Sequence, residues 1–356
     1  MLYEISEKVI RLQNEGKAII KFNVGDPDQA TSPDIINAAV KAMRDGKTKY
    51  GSSAGDAKLR QRLAEMYAVR PNNVVITPGS KWAIFAMVSL LLKNGGNIIV
   101  PSPHWSSYAL IAHHVGAELR LLKRDLASAW KTPPETLRRL IDAKTRLIIL
   151  NNPDNPTSKV MDSRNLEAIV ELANENQIPI LSDETYADIS FVKVRSILDW
   201  EGPHLLVHSF SKTFAMTGWR IGFAILDREL AEQMVKLNQI SISNVPLFTQ
   251  EAAVKALELK DAISREMREV YRRRAALACR ILSKTPLQFT KPDAPFYLFP
   301  KGDVDSEEFA LNLIDKGVAV VPGTAFGEYR SHFRISLTMP EESIQTGLEI
   351  IAEECR

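Results

Sequence analysis

Short runs of β-branched residues alternate with amphipathic stretches between about residues 74 and 226. This alternation is typical of βα units that build a mostly parallel sheet. A covering helix is predicted over 164–176, because Leu166, Ile169 and Val170 recur at the spacing of one helix face. The pattern therefore predicts an α/β fold with a mostly parallel central sheet flanked by helices. Its strands are expected at 74–77, 97–101, 118–122, 146–151, 178–183, 205–210 and 220–226.

The hydrophobic pattern of the chain changes after Pro246. Long, charge-rich helical sequence is followed there by the short apolar runs FYLF, VAVVPG and FRISL, and a final helix is predicted from Glu341. This order predicts a second, smaller α+β domain. The first 25 residues form a helix and an apolar run, AIIKFNVG, with no partner strand nearby, so we place them with the C-terminal part. We expect a large domain over 26–255 and a small domain over 1–25 plus 256–356, with the boundary inside a long helix near 250–270.

Charge and composition exclude several classes of function. The chain has 356 residues, with 45 Lys plus Arg against 43 Asp plus Glu, and no block of like charge that would attract a nucleic acid. The longest apolar stretch, 82–92, is far shorter than the roughly 20 residues that cross a bilayer. The N-terminus has no apolar core of a signal peptide, so we expect a cytoplasmic protein without membrane contact. Cys279 and Cys355 lie outside any CxxC spacing, and no metal site is expected.

Reactive side chains follow two of the predicted strands. Lys212 in SFSKTFAMTGWRIGF comes directly after one strand, and Asp183 ends another in IPILSDETY, with Tyr186 three residues later. Ligands of open α/β sheets bind at such strand ends, and a desolvated lysine has the lowered pKa that Schiff-base chemistry requires. Each residue alone has a plainer interpretation. Lys212 would be a solvated lysine, and Asp183 would cap a helix.

Two further segments also follow strands. In ITPGSKWAIF, a strand meets Gly79 and Ser80 where a helix begins, a junction that presents free backbone N–H groups to an anion. The nucleotide motifs GxxxxGK[ST] and GxGxxG are absent, so a phosphate held here belongs to another kind of ligand. Arg220 could give that phosphate a bidentate contact. The segment NNPDNPTS at 151–158 would by itself be a plain loop.

Taken together and in this order, the segments resemble the pyridoxal-phosphate-dependent class I aminotransferases of fold type I, in the aspartate aminotransferase-like branch. The resemblance covers about nine-tenths of the chain, and the conjunction is far more specific than any one motif. It depends on NVGDPDQATSP, KTKYGSSAG, TPGSKWAIF, PSPHWSSY, NNPDNPTS, LSDETYADI, SFSKTFAMTGWRIG, GVAVVPGTAFG and FRISL.

The resemblance implies three catalytic residues. Lys212 would form the Schiff base with pyridoxal phosphate and move the proton between the substrate Cα and the cofactor. Asp183 would face the pyridine nitrogen, where a carboxylate raises the pyridinium pKa and makes the ring a better electron sink. Tyr186, together with Asn155, would hold the 3′ oxygen of the ring.

The resemblance also implies how cofactor and substrate are bound. Trp105 would stack on the ring. Without the resemblance, an aromatic residue in such a loop is expected to pack in the hydrophobic core. The α-carboxylate of the substrate would be bound by Arg334, otherwise a surface arginine on a strand, with support from Gly25 and Asn155. Tyr50 would reach the phosphate of the neighbouring subunit, which implies a homodimer with shared sites. The remaining phosphate contacts would be Ser80, Lys81, Ser209 and Arg220.

The expected function is transfer of the amino group of an L-amino acid to a 2-oxo acid, with 2-oxoglutarate as the expected acceptor, in a ping-pong reaction. One alternative keeps the cofactor and cleaves a carbon–sulfur bond as a β-lyase. Another is a non-catalytic regulator that binds the cofactor. It is disfavoured because such regulators carry a DNA-binding domain, and we expect neither that domain nor a basic patch here.

Three features depart from the family pattern. Ser158 stands where the family usually has the glycine that closes NPxNPTG, so we expect a differently shaped turn. The interval between Tyr67 and Val74 is short, and part of the usual leading segment is missing. No residue for a second substrate carboxylate can be identified. The family name therefore describes ancestry here and not the substrate.

Overall fold

The computed structural model describes residues 2–355, and the alternation of strands and helices in the hydrophobic pattern recurs in it. The strands of these residues are β1 (Ile20–Lys21), β2 (Val74–Thr77), β3 (Asn97–Ser102), β4 (Glu118–Lys123), β5 (Thr145–Asn151), β6 (Ile180–Asp183), β7 (Leu205–Ser209), β8 (Gly222–Ile225), β9 (Tyr297–Leu298), β10 (Val318–Ala319), β11 (Val321–Pro322) and β12 (Phe333–Ser336). Their helices are α1 (Leu2–Asn14), α2 (Pro33–Arg44), α3 (Ala57–Met66), α4 (Ser80–Leu91), α5 (Ser106–His114), α6 (Pro134–Leu140), α7 (Ser163–Glu175), α8 (Phe210–Thr213), α9 (Arg228–Ser241), α10 (Leu247–Glu258), α11 (Lys260–Leu282), α12 (Ser306–Asp315) and α13 (Glu341–Glu354).

The largest sheet of the described residues has seven strands in the order β2-β8-β7-β6-β5-β3-β4. Neighbouring strands from β7 to β4 are parallel, whereas β8 runs antiparallel to both β7 and β2. The prediction of an α/β fold with a mostly parallel sheet is confirmed. Each predicted strand of this sheet ends within two residues of the observed one, and Phe210, predicted to end a strand, begins α8 instead.

Both faces of this sheet are covered by helices. In β5, Ile148 and Leu150 pack into a hydrophobic cluster with residues of α2, α3 and α7. Leu147 and Ile149 point to the other face and pack with residues of α4 and α5. Burial on both faces explains why this strand is apolar along its length instead of alternating with polar residues.

The N-terminal strand lies with the C-terminal strands. β1 pairs in parallel with β10, with Ile20 opposite Val318, and β11, β12 and β9 form a separate antiparallel sheet. Phe22 and Phe333 belong to a hydrophobic cluster of their own, which includes residues of α1, α11, α12 and α13. The division into 26–255 and 1–25 plus 256–356 remains a prediction.

The helical sequence at the predicted boundary forms two helices and not one. α10 ends at Glu258 and α11 begins at Lys260, with Leu259 between them. Ala252 in α10 packs in a cluster of the seven-stranded sheet, whereas Ala278 in α11 packs with the C-terminal strands. The chain therefore passes from one hydrophobic core to the other across these two helices.

The described residues contain neither a membrane-spanning helix nor a cluster of metal-binding side chains. Among residues 2–355, no helix has both the length and the apolar composition needed to cross a membrane. In the same range, no three or more His, Cys, Asp or Glu side chains are grouped as a metal site would require. The cytoplasmic location remains a prediction.

Candidate active site

A cavity of about 370 Å³ opens beside the carboxyl ends of β5 and β6. Its lining combines residues from the seven-stranded sheet, from the segment after β1 and from the C-terminal strands. A larger open groove of about 680 Å³ between residues 125–127 and 287–290 has none of the predicted site residues. The predicted residues that line the smaller cavity are Gly25, Ser80, Trp105, Asn155, Asp183, Tyr186, Lys212 and Arg334.

Lys212 lies in α8, the short helix that directly follows β7. Its Nζ donates a hydrogen bond of 2.5 Å to the backbone carbonyl of Gly25. Burial lowers the pKa of Lys212 to about 8, although the charge of Asp26 acts in the opposite direction. A substantial fraction of this amine is therefore neutral near pH 8, as a nucleophile or a general base requires.

Asp183 ends β6 and is only 4% exposed. Its Oδ2 accepts a hydrogen bond of 2.9 Å from Tyr108, and its Oδ1 accepts one of 2.6 Å from the Thr185 hydroxyl. Burial raises the pKa of Asp183, while these donors favour its ionised form. The carboxylate lies in the cavity wall. Its Oδ1 also accepts from the Thr185 backbone N–H at 3.2 Å, although no α-helix begins there.

Arg334 on β12 is buried, with 7% of its surface exposed. Its guanidinium donates to Asn155 Oδ1 at 3.1 Å and to the Asn23 carbonyl at 2.9 Å, and its Nε has no partner in the described residues. The Tyr297 and Phe326 rings lie 4.4 and 5.1 Å from its central carbon. A buried cation whose observed partners are all neutral is suited to bind an anion, and its planar fork matches a carboxylate.

Tyr186 and Gly25 are both in contact with Tyr297. The hydroxyls of Tyr186 and Tyr297 lie 3.1 Å apart, and burial raises the pKa of Tyr186 well above its usual value. Tyr186 therefore stays protonated and can donate a hydrogen bond. A Cβ atom at Gly25 would lie 2.0 Å from the Tyr297 hydroxyl, so only glycine fits at this position.

A separate group of polar side chains lies at the N-terminus of α4. Gly79 precedes α4 with a φ of +85°, and a Cβ on it would lie 2.6 Å from the guanidinium of Arg220. Arg220 is oriented by a 2.7 Å hydrogen bond to the Thr217 carbonyl. Lys81 lies over the Trp105 ring at 4.9 Å, and burial together with Arg220 lowers its pKa. Free N–H groups of a helix start beside two cations favour a phosphate.

Four predicted residues are not part of the cavity lining: Lys81 and Arg220, which lie at the start of α4, and Ser209 and Tyr50. The Ser209 hydroxyl donates to Ser211 at 2.8 Å, and Ser209 caps α8. Tyr50 is 88% exposed and lines a separate depression with neighbours that include Asn244 and Leu247. Within this protomer, Tyr50 lies apart from the other predicted residues, whereas Ser209 caps the short helix that carries Lys212.

Several residues in or beside the cavity escaped the sequence analysis, among them Tyr108, Thr185 and Tyr297. Tyr108 follows Trp105 by one helical turn, and this spacing was the available sign that the two side chains share a site. Thr185 sits between the two predicted residues Asp183 and Tyr186 in LSDETY. Tyr297 is distant in sequence from the other cavity residues, and within FYLF it has the pattern of a core strand.

The residues present fit pyridoxal phosphate. A lysine amine with a lowered pKa suits its aldehyde, the buried carboxylate of Asp183 suits a pyridine nitrogen, and Trp105 offers a ring face. The space at Gly79 beside Arg220, which a Cβ would fill, suits the phosphate. The chemistry of the site therefore matches the cofactor that the sequence motifs imply.

Comparisons with known proteins identify the family of the chain. The family profile "Aminotransferase class I and II" matches residues 17–351. An aspartate aminotransferase of Thermococcus kodakarensis is 35% identical over 353 residues, which cover 99% of this chain and 92% of that protein. A (5-formylfuran-3-yl)methyl phosphate transaminase of Methanocaldococcus jannaschii is 32% identical over 356 residues, which cover 96% and 93%.

A solved structure gives the same result at the level of the fold. The aspartate aminotransferase of Thermus thermophilus with maleate superimposes with a TM-score of 0.95 at 32% identity, over 99% of this chain and 96% of that chain. The predicted enzyme class and cofactor are confirmed, and these enzymatic relatives do not support the regulator alternative. The chain belongs to the class I and II aminotransferases, as a pyridoxal-phosphate-dependent enzyme of the aspartate aminotransferase-like branch.

Proposed function

We propose that this aminotransferase moves the amino group of an L-amino acid to 2-oxoglutarate in a ping-pong reaction. The observation that supports it is that one cavity holds both the amine of Lys212 and the buried guanidinium of Arg334. Lys212 has a lowered pKa, and Arg334 has no carboxylate partner among the described residues. An α-amino acid carries an amine and a carboxylate on the same carbon, so its carboxylate can bind Arg334 while its amine lies beside Lys212.

Lys212 acts in this proposal as both the covalent anchor and the general base. Bound pyridoxal phosphate supplies an aldehyde for amine exchange and an electron-withdrawing ring. The Lys212 amine would take the proton from the substrate Cα. Its pKa of about 8 suits that task near neutral pH.

The other site residues hold the reactants in our proposal. Asp183 faces the ring nitrogen, while Tyr186 and Asn155 donate to the ring oxygen. Trp105 covers one ring face, and Arg334 binds the α-carboxylate with support from Gly25. The groups that hold the phosphate are Ser80, Lys81, Ser209 and Arg220, completed by Tyr50 of a second subunit.

The choice of acceptor has two supports. The amino acid donor and the 2-oxo acid acceptor each carry a carboxylate next to the reacting carbon. Arg334 would bind this group in both molecules, so one site can serve both half-reactions in turn. The solved relative from Thermus thermophilus was described with maleate, a dicarboxylate, which favours a dicarboxylic acceptor such as 2-oxoglutarate.

Initial rates test the order of the reaction and the acceptor together. Varying the donor at several fixed concentrations of 2-oxoglutarate should give parallel double-reciprocal lines, whereas converging lines would refute a ping-pong order. We expect kcat/KM for 2-oxoglutarate to exceed that for pyruvate at least tenfold, and the reverse order would refute the acceptor. Pyruvate released from a cysteine conjugate without any added 2-oxo acid would instead support the β-lyase.

A shared-site homodimer can be tested by mixing two inactive variants. Tyr50→Ala lacks the residue donated across the dimer, and Lys212→Ala lacks the anchor. In a hybrid dimer, one site combines the intact Lys212 of one subunit with the intact Tyr50 of the other. We expect co-refolded mixtures to regain up to about one quarter of native activity, because half of the dimers are hybrids with one complete site each. No recovery despite proven hybrid dimers would refute a shared site.

A further inference from the structure

Ser158 closes the NNPDNPTS segment and is 1% exposed. Its φ of +53° lies in the left-handed region, where glycine meets no steric cost and serine does. Its backbone N–H donates to the Asp154 carbonyl at 2.8 Å and closes the turn. The position therefore suits glycine better by backbone conformation alone, so the serine side chain needs a separate explanation.

The side chain of Ser158 is bonded to a segment more than 130 residues away. Its hydroxyl donates to the Pro295 carbonyl and accepts from the Tyr297 N–H, both at 3.1 Å. The Ser158 carbonyl accepts from the N–H groups of Asp293 and Ala294 at 2.9 and 3.1 Å. One residue thus makes four hydrogen bonds to the segment 293–297.

Both ends of this connection contact Arg334. At one end, Asn155 in the same turn as Ser158 accepts a hydrogen bond from the guanidinium of Arg334. At the other end, the Tyr297 ring lies 4.4 Å from the central carbon of that guanidinium. The Ser158 hydroxyl therefore joins the two elements between which the guanidinium of Arg334 is held.

We propose that Ser158 is a positioning residue, whose hydroxyl holds Tyr297 against the NNPDNPTS turn and so aligns Arg334 for the substrate carboxylate. The proposal rests on the proposed role of Arg334. It is separate from the chemistry at Lys212, which Ser158 does not contact through any hydrogen bond of the described residues.

Two substitutions separate the hydroxyl from the backbone conformation. Ser158→Gly removes the hydroxyl and relieves the left-handed conformation, whereas Ser158→Ala removes the hydroxyl and keeps that conformation. We expect both variants to raise KM for the amino acid and for the 2-oxo acid by roughly 5- to 20-fold, with kcat within about threefold of native. Thermal unfolding should show that both variants fold, with Ser158→Gly at least as stable as Ser158→Ala.

Ser190 offers a matched control. Its hydroxyl donates to the Asp293 carbonyl at 3.1 Å, at the opposite end of the segment from Tyr297. Ser190→Ala should leave both KM values within about twofold of native. Native KM values in a folded Ser158→Gly protein would overturn the proposal, and so would an equal rise in KM for Ser190→Ala.

A double variant tests whether Ser158 acts through Arg334. If it does, Ser158→Gly should add less than about twofold to the KM of Arg334→Lys. Effects that multiply would show that Ser158 acts independently and would overturn the proposal. If Arg334→Lys alone leaves KM unchanged, the proposed carboxylate site fails first, and the role of Ser158 fails with it.

Discussion

The two halves of the cavity are built in different ways. Asp183 and Lys212 follow adjacent parallel strands of the large sheet, and Asn151 lies directly opposite Asp183 in the register of the next strand. The opposite half brings Gly25 and Arg334 together through contacts that span most of the chain. The sheet half is positioned by regular strand pairing, and the opposite half by individual hydrogen bonds and close contacts.

The electrostatics of the two halves differ as well. In the sheet half, burial raises the pKa of Asp183 and lowers that of Lys212, which prepares groups for proton transfer. In the opposite half, Arg334 remains a cation with neutral partners, which prepares it to bind a carboxylate. We therefore expect variants in the sheet half to act mainly on kcat and variants in the opposite half mainly on KM.

The largest effect is expected for Lys212→Ala. Loss of both the covalent anchor and the general base should lower kcat by at least about 10³-fold. Lys193→Ala is the control, because Lys193 is exposed and makes no hydrogen bond or ion pair with the residues that the structure describes. Steady-state assays measure kcat of both variants. Near-native turnover in Lys212→Ala would contradict the role of the sheet half in proton transfer.

Arg334→Lys should raise KM for the amino acid by roughly 10- to 100-fold and change kcat much less, because an ammonium cannot form the planar two-point contact of a guanidinium. Arg330→Lys provides the control, since Arg330 is exposed and pairs with Asp305. A fall in kcat with an unchanged KM would contradict the proposed role of Arg334 in binding the carboxylate and would show that it acts like the residues of the sheet half.

Gly25→Ala tests the close contact with Tyr297. The added methyl group would lie 2.0 Å from the Tyr297 hydroxyl, so we expect KM to rise about tenfold as the ring shifts from Arg334. Tyr297→Phe removes that hydroxyl and should partly rescue Gly25→Ala in the double variant. Gly218→Ala, where the added carbon meets no atom within 4 Å, is the control. Additive losses in the double variant would contradict the proposed contact.

The pKa of Lys212 predicts how fast the apoenzyme takes up pyridoxal phosphate. Only the neutral amine attacks an aldehyde, so a pKa of about 8 makes the rate rise roughly tenfold from pH 7 to pH 9 and then level off. An unshifted lysine would give a rate that still rises beyond pH 9. Stopped-flow absorbance measures the profile, and the absence of a plateau would show that burial does not lower this pKa.

The smallest effect is expected for Tyr108→Phe. Loss of the hydrogen bond to Asp183 raises the pKa of that carboxyl further and weakens the anion that faces the cofactor ring, so kcat should fall roughly three- to tenfold with KM little changed. Tyr329→Phe is the control, because its half-buried hydroxyl donates to the Ser102 and Arg124 carbonyls outside the cavity. A change in KM alone would contradict the division between the two halves.

The sheet half was largely predictable from the sequence. Runs of apolar residues mark each strand, and a polar residue after such a run must lie at the end of the strand. Asp183 and Lys212 could therefore be placed at one edge without any knowledge of distant contacts. The family resemblance then supplied the expected roles that strand ends alone do not reveal.

The opposite half was less predictable because its contacts are long-range. Tyr297 meets Gly25 across 272 residues of sequence, and no local pattern encodes that approach. The break between α10 and α11 at Leu259 could not be predicted, because no glycine or proline lies at that position. The departure at Ser158 was visible in the sequence, but the bonds of its hydroxyl to Pro295 and Tyr297 required the fold.

The most direct test of the central claim is a single half-reaction. The purified holoenzyme is mixed with each of a panel of L-amino acids in the absence of any 2-oxo acid, while its absorbance and the released product are followed. Transamination predicts that some amino acids convert the bound cofactor to its pyridoxamine form with one 2-oxo acid released per subunit, and that 2-oxoglutarate reverses the change. Binding of amino acids with neither conversion nor a 2-oxo acid product would contradict the account.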